Sequence, residues 1–178
     1  IKQTKATDIQ TWHKHTRELL NEKKIINTLH QTASRTQAAH IVTLIPGILS
    51  SIDKLFMAYI PGVTLKHWIA QSLTHKSLDG KALLKLCRDV LIGLHHAHTC
   101  GYAHADIKPE NVIVSNHDGK TTHAVIIDWG LAHLIHDPQN SQQRGSPCYM
   151  DPLAFMAERN TQFATASFDT HAVFLMLA

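Results

Sequence analysis

His104-Ala105-Asp106-Ile107-Lys108-Pro109-Glu110-Asn111, followed at once by Val112-Ile113-Val114, is the stretch that decides how this chain folds. It sets an acid, a cation and an amide within six residues, and then an apolar run that reads as a strand. A second apolar run, Ala124-Val125-Ile126-Ile127, ends in Asp128-Trp129-Gly130. Turn residues lie between the two runs, at Asn116-His117-Asp118-Gly119, so they are expected to pair as a hairpin. That hairpin would carry Asp106, Asn111 and Asp128 to one edge. Phosphoryl transfer from ATP needs such a set: one carboxylate to orient and deprotonate a hydroxyl, and an amide with a second carboxylate to hold Mg²⁺.

The motif His-x-Asp-x-Lys-Pro-x-Asn, with Asp-x-Gly after the intervening β-run, resembles the catalytic and metal-binding loops of eukaryotic-type (Hanks-type) serine/threonine protein kinases. The resemblance implies roles residue by residue. Asp106 would be the catalytic base, Lys108 would neutralise the transferred phosphoryl group, and Asn111 and Asp128 would hold Mg²⁺. His104 is expected to be structural, packing its loop against the Asp-x-Gly segment. Two positions depart from the pattern. Ala105 replaces the arginine that in many members pairs with a phosphorylated activation loop, so activity here should not depend on that switch. Trp129 replaces the usual phenylalanine.

Upstream, Ile1-Lys2 resembles the end of the strand whose lysine holds the ATP phosphates. A helix is expected over roughly 8–30, with Trp12, His15, Leu19, Glu22, Ile26 and Leu29 on one face. Glu22 thus sits among apolar residues, where a carboxylate is costly unless paired. Lys2 stands 20 positions before it, close to what the family's lysine–glutamate ion pair requires. Residues 31–39 read as loop, and Ile41–Ile45 and Leu55–Tyr59 as strands around a Pro46-Gly47 turn. Leu55 to Leu65 resembles the hinge between kinase lobes. There Met57 would guard the adenine pocket, and Ala58 and Ile60 would offer backbone groups to adenine.

Thr64 is a candidate N-cap for a short helix through Ser72, and a longer helix begins at Asp79. Leu83, Cys87, Val90, Leu94 and Ala97 recur along it at helical spacing, and Gly101 suits its C-terminal cap. After a loop around Asp137–Ser141, the run Gly145-Ser146-Pro147-Cys148-Tyr149-Met150-Asp151-Pro152-Leu153 resembles the end of an activation segment. Ser146 stands where a Ser or Thr contacts the catalytic aspartate and lysine. Leu153 departs from the expected glutamate, for which Glu158 is a candidate substitute. Residues 168–177 resemble the central helix of the C-terminal lobe, and Asp169 would hydrogen-bond the catalytic-loop backbone.

The implied fold is α+β, an incomplete protein-kinase-like bilobal fold. Residues 1–59 would form a partial N-terminal lobe, and 60–178 a mainly helical C-terminal lobe cut off within its central helix. At 178 residues the chain is shorter than the roughly 250 such a domain takes, and it contains no Gly-x-Gly-x-x-Gly loop, so it reads as a fragment of a larger kinase domain. With 44% hydrophobic and 17% charged residues it has enough apolar material for a core, and no apolar run long enough to span a bilayer. A net charge of +3 without a Lys/Arg block argues against nucleic acid as a partner. Cys87, Cys100 and Cys148 make no disulfide framework, which suits a reduced cytoplasmic setting, with a secreted effector as the alternative. Fifteen histidines include His95-His96-x-His98. A metal site there lacks nearby acid partners, and His98 falls where the family expects a helix-end histidine.

The reading is a protein kinase using ATP and Mg²⁺ on serine or threonine hydroxyls of a protein substrate. One alternative is a small-molecule phosphotransferase of the aminoglycoside or choline kinase type, towards which Ala105 and Trp129 lean. Lys108-Pro109-Glu110 and the 145–152 segment speak against it. A pseudokinase binding module is the other alternative, opposed by the joint presence of Lys2, Asp106, Asn111 and Asp128.

Overall fold

The computed structural model describes residues 2–3, 9–45, 54–116, 122–135, 145–152 and 165–176, with the backbone alone at 2–3, 9–12 and 165. Five helices and seven short strands are described: β1 (Lys2–Gln3), α1 (Ile9–Thr32), α2 (Arg35–Ala38), β2 (Lys54–Leu55), β3 (Gly62–Thr64), α3 (Leu65–Thr74), α4 (Gly80–Thr99), β4 (Tyr102–Ala103), β5 (Val112–Ser115), β6 (His123–Ile126), β7 (His133–Leu134) and α5 (Thr165–Leu175). This is the α+β architecture expected of the chain. The Asn116–Gly119 and Pro46-Gly47 turns, the 137–141 loop, Leu153 and Glu158 lie largely or wholly outside the described residues.

The two apolar runs around the motif pair as expected. β5 and β6 are antiparallel, with Val112 opposite Ile126 and Ser115 opposite His123. β3 adds on the far side of β5, Val63 facing Val114. On the near side Ile41 bridges Ile126, and Val42 N–H donates to the Ile126 carbonyl at 3.0 Å. Elsewhere β1 pairs antiparallel with β2, and β4 with β7.

α4 carries the hairpin. Its Leu83, Leu86, Cys87, Val90, Leu94 and Ala97 are buried at helical spacing, and Val112, Val114, Ala124 and Ile126 of the hairpin join the same core. Asp79 caps the first turn by accepting from Lys81 N–H at 2.9 Å. Gly101 follows the helix at φ +81°, the left-handed geometry that turns the chain directly into β4 and the 104–111 stretch. Thr64 caps α3 through His67 N–H at 3.2 Å, and that helix runs two residues beyond the expected Ser72.

α1 presents Leu19, Ile25, Ile26 and Leu29 inward, with Glu22 on the same face and fully buried. Two local expectations need correction. Residues 31–39 are not all loop: Ser34 and Gln37 form a reciprocal capping box that starts the single turn α2. The runs 41–45 and 55–59 are not full strands. They touch through a Leu44–Met57 bridge and bonds from Ile45 N–H to Phe56 O (3.1 Å) and Ala58 N–H to Thr43 O (2.8 Å).

Gly93, inside α4, lies against the 40–42 segment and the hairpin. A Cβ there would stand 2.9 Å from Ile126 Cδ1 and 3.2 Å from the His40 carbonyl oxygen. Helix propensity alone favours valine over glycine slightly. Overpacking is expected to win, so Gly93→Val should lower stability by about 1–3 kcal/mol in urea denaturation. An unchanged or higher midpoint would show that the contact has slack.

Candidate functional site

The site is assembled on the stretch between β4 and β5. Asp169, on α5 and 2% exposed, accepts from the backbone N–H groups of His104 (2.8 Å) and Ala105 (2.9 Å). His98, near the end of α4, donates to the same carboxylate at 2.8 Å. Ala105 is held at φ +65°, a conformation that costs an alanine about 1–2 kcal/mol and needs such external support.

His104 is structural, as expected. Its ring meets Trp129 edge-on with centroids 4.7 Å apart. Nε2 donates to the Ile127 carbonyl at 3.1 Å, and Nδ1 accepts from Asp106 N–H at 3.3 Å. One donor and one acceptor describe a neutral imidazole. Burial pushes its pKa below the usual 6.5, against the opposing pull of Asp169, the Ile127 carbonyl, Asp106 and Asp128.

Asp106, Lys108, Asn111 and Ser146 form one closed hydrogen-bonded group. Lys108 Nζ donates to Asp106 Oδ2 at 2.7 Å and to Ser146 Oγ at 2.8 Å. Ser146 Oγ donates to Asp106 Oδ1 at 2.8 Å. Asn111 Nδ2 donates to the Asp106 carbonyl (2.9 Å) and to its Oδ2 (3.0 Å). The one-turn helix Pro109–Asn111 sets this geometry, with proline at its first position. Gly145 makes the approach of the later segment possible. At φ +107°, a Cβ on it would lie 2.3 Å from the Ala105 carbonyl oxygen.

Asp128 begins the second loop at φ +62° and is joined to Asn111 through the chain before it: Ile127 N–H donates to the Asn111 carbonyl at 2.9 Å. With Nδ2 of Asn111 engaged on Asp106, its Oδ1 and the Asp128 carboxylate are the oxygens that could hold a metal. Hard oxygens of this kind suit Mg²⁺.

Glu22 reaches the same loop from α1. Its Oε1 accepts from Trp129 N–H at 3.0 Å, a contact across 107 positions that the sequence did not suggest. The expected Lys2–Glu22 pair involves a side chain outside the described set; the Lys2 backbone stands opposite Leu55. Of the hinge residues, Met57 and Ile60 pack against the core, and Ala58 is exposed. The Ala58 N–H is engaged by the Thr43 carbonyl at 2.8 Å and is not offered to a ligand. Lys66 donates to Glu110 Oε1 at 2.8 Å and holds that carboxyl below its usual range. No local sequence signal links these two residues.

His96 and His98 do not share a site. His96 Nε2 meets the Leu29 carbonyl at 2.9 Å and His98 meets Asp169. The three cysteines are free thiols.

A histidine that stays neutral when folded but titrates normally when unfolded makes stability fall with acid. Above pH 6.5 both states are neutral at this position. Below it the unfolded chain binds the proton first, at a cost of up to about 1.4 kcal/mol per pH unit until the folded pKa is reached. The destabilisation caused by His104→Phe should therefore be larger at pH 7.5 than at pH 5.5 in urea denaturation. A difference independent of pH would refute the buried neutral ring.

Comparison with known proteins identifies the family. The family description "Protein kinase domain" matches residues 1–178. The probable serine/threonine-protein kinase pknA2 of Bifidobacterium longum is 32% identical over 141 residues, which cover 77% of this chain and 17% of that protein. The serine/threonine-protein kinase cds1 of Schizosaccharomyces pombe is 27% identical over 144 residues, covering 74% and 30%. The serine/threonine-protein kinase PknD of Protochlamydia amoebophila is 34% identical over 125 residues, covering 64% and 12%. The chain thus spans less than a third of the length of each of these relatives. By the match along its whole length, it belongs to the protein kinase domain family.

Proposed function

We propose that this chain transfers the γ-phosphoryl group of ATP to serine or threonine hydroxyls of a protein substrate. The observation that carries the proposal is the closed group of Asp106, Lys108, Asn111 and Ser146, which fixes a carboxylate and an ammonium around a hydroxyl. The names of the relatives support the choice of serine and threonine.

Asp106 orients the incoming hydroxyl and takes its proton; Asn111 Nδ2 on Oδ2 keeps the carboxylate from turning away. Lys108, with its side chain 23% exposed, places a positive charge where charge gathers on the transferred group. Asn111 Oδ1 and the Asp128 carboxylate would hold Mg²⁺, which when bound neutralises the phosphate oxygens. Lys2 would hold the nucleotide phosphates, steadied by Glu22, whose carboxylate also fixes the Asp128-Trp129 loop through the Trp129 amide. The Ala58 carbonyl and the Ile60 N–H would meet the adenine edge, with Met57 behind it. A reduced cytoplasmic setting remains our expectation for such an enzyme.

The test is transfer of labelled γ-phosphate in the presence of Mg²⁺, with protein and small hydroxylic acceptors offered together. Asp106→Asn should lower labelling of seryl and threonyl residues about 10²–10⁴-fold while nucleotide binding persists. Label found only on a small molecule would transfer the case to the small-molecule phosphotransferases. Binding without any transfer would mark a pseudokinase.

A further inference from the structure

The segment that carries Ser146 is held at both of its ends. At the first, Gly145 packs against the Ala105 carbonyl oxygen, and Ser146 bonds to Asp106 and Lys108. At the second, Asp151 Oδ2 stands 3.9 Å from Nδ1 of His171 on α5. Between them Pro147 opens a single 3-10 turn, closed by Tyr149 N–H donating to the Ser146 carbonyl at 3.0 Å. Proline stiffens that turn, so a shift at Asp151 is passed on to Ser146. α5 also carries Asp169, which fixes the bend before Asp106. One helix thus supports both the base and the segment that faces it.

A separation of 3.9 Å is too long for a hydrogen bond and short enough for an ion pair. The contact therefore draws the two elements together when the ring is protonated, and hardly at all when it is neutral. Histidine is the side chain whose charge ordinarily changes near neutral pH. The elements packed on α5 bring further titratable groups: His98 from α4, Tyr102 from β4, and Cys148 and Tyr149 from the segment itself. His98 is bonded to Asp169, and Asp151 is the ion partner of His171. Ser146 Oγ lies against the two groups that an acceptor hydroxyl must meet, so an acceptor chain has to pass along this segment. We propose that His171 is a positioning residue for the protein acceptor, its imidazolium holding Asp151 and with it the acceptor's path. The inference rests on the kinase reading of this site and adds a pH dependence to acceptor binding. As pH rises and the ring loses its proton, the anchor slackens and acceptor affinity falls. The nucleotide is assigned to Lys2, Asn111 and Asp128 on other elements, so its binding is not expected to follow.

The experiment measures initial rates of labelled-phosphate transfer from pH 5.5 to 8.5, with dephosphorylated casein and myelin basic protein as acceptors. Acceptor and ATP are varied in turn. The wild-type KM for acceptor is expected to rise about two- to fivefold across that range, the worth of a partly exposed ion pair, while the KM for ATP holds steady. His171→Lys, charged throughout, should keep the low acceptor KM at every pH. His171→Gln should show the high one at every pH, with kcat and the urea midpoint unchanged. Equal acceptor KM in the wild type and His171→Gln at low pH would overturn this inference and leave the kinase reading standing. The same rise in His171→Lys as in the wild type would place the titration elsewhere and overturn it too. A fall in kcat with both KM values unchanged, or a lowered midpoint in both variants, would make His171 a support of the fold alone. Absence of transfer to either acceptor would overturn the kinase reading and this inference with it.

Discussion

A buried carboxylate on α5 governs the geometry of everything around it. Asp169 is 2% exposed, and a charge taken out of water is tolerable only when donors surround it. It has three: His98 Nε2 and the amides of His104 and Ala105, all within 2.9 Å. Those amides belong to the residues just before Asp106, and one of them sits in the left-handed conformation that alanine disfavours. The cost of bending the chain is met by satisfying the acid. Asp106 therefore leaves the bend in a fixed direction, with Lys108 and Asn111 bonded to it from within five residues and Ser146 from the later segment.

The second loop is tied to the first by equally few contacts. The His104 ring spans them, bonded to the Ile127 carbonyl and stacked edge-on against Trp129. Glu22 holds the Trp129 amide from α1, so the long helix and the two loops share one mechanical path. Trp129 itself is fully buried, and among the described residues its indole N–H has no partner. A phenylalanine would carry no such unmet donor. Histidines serve as tethers well beyond this loop. His30, His40 and His96 each meet a backbone carbonyl within 3.0 Å, which gives a structural use to a residue type that is unusually common in the chain.

Much of the site was legible because its parts lie close in sequence. Asp106, Lys108 and Asn111 are fixed by one turn, and the apolar runs that follow them have the length and turn signals of a hairpin. The contacts of Ser146 and Asp169 with that loop span 38 to 65 positions, and only the family resemblance pointed to them. The Glu22–Trp129 bond and the Lys66–Glu110 pair were not legible, since neither is encoded by spacing. Apolar runs overstated the strands at 41–45 and 55–59, because such composition records burial as much as ladder pairing. The capping box at Ser34 and Gln37 was visible in the sequence, but the polar character of 31–39 concealed it.

The central claim is that Asp128 and Asn111 form a cation-assisted nucleotide site beside Asp106. Calorimetric titration of the purified protein with a non-hydrolysable ATP analogue, with Mg²⁺ and then with a chelator, tests it most directly. The account predicts tighter binding with Mg²⁺, and loss of that gain in Asp128→Ala while metal-free binding is retained. Equal affinity with and without the metal in both proteins would contradict it.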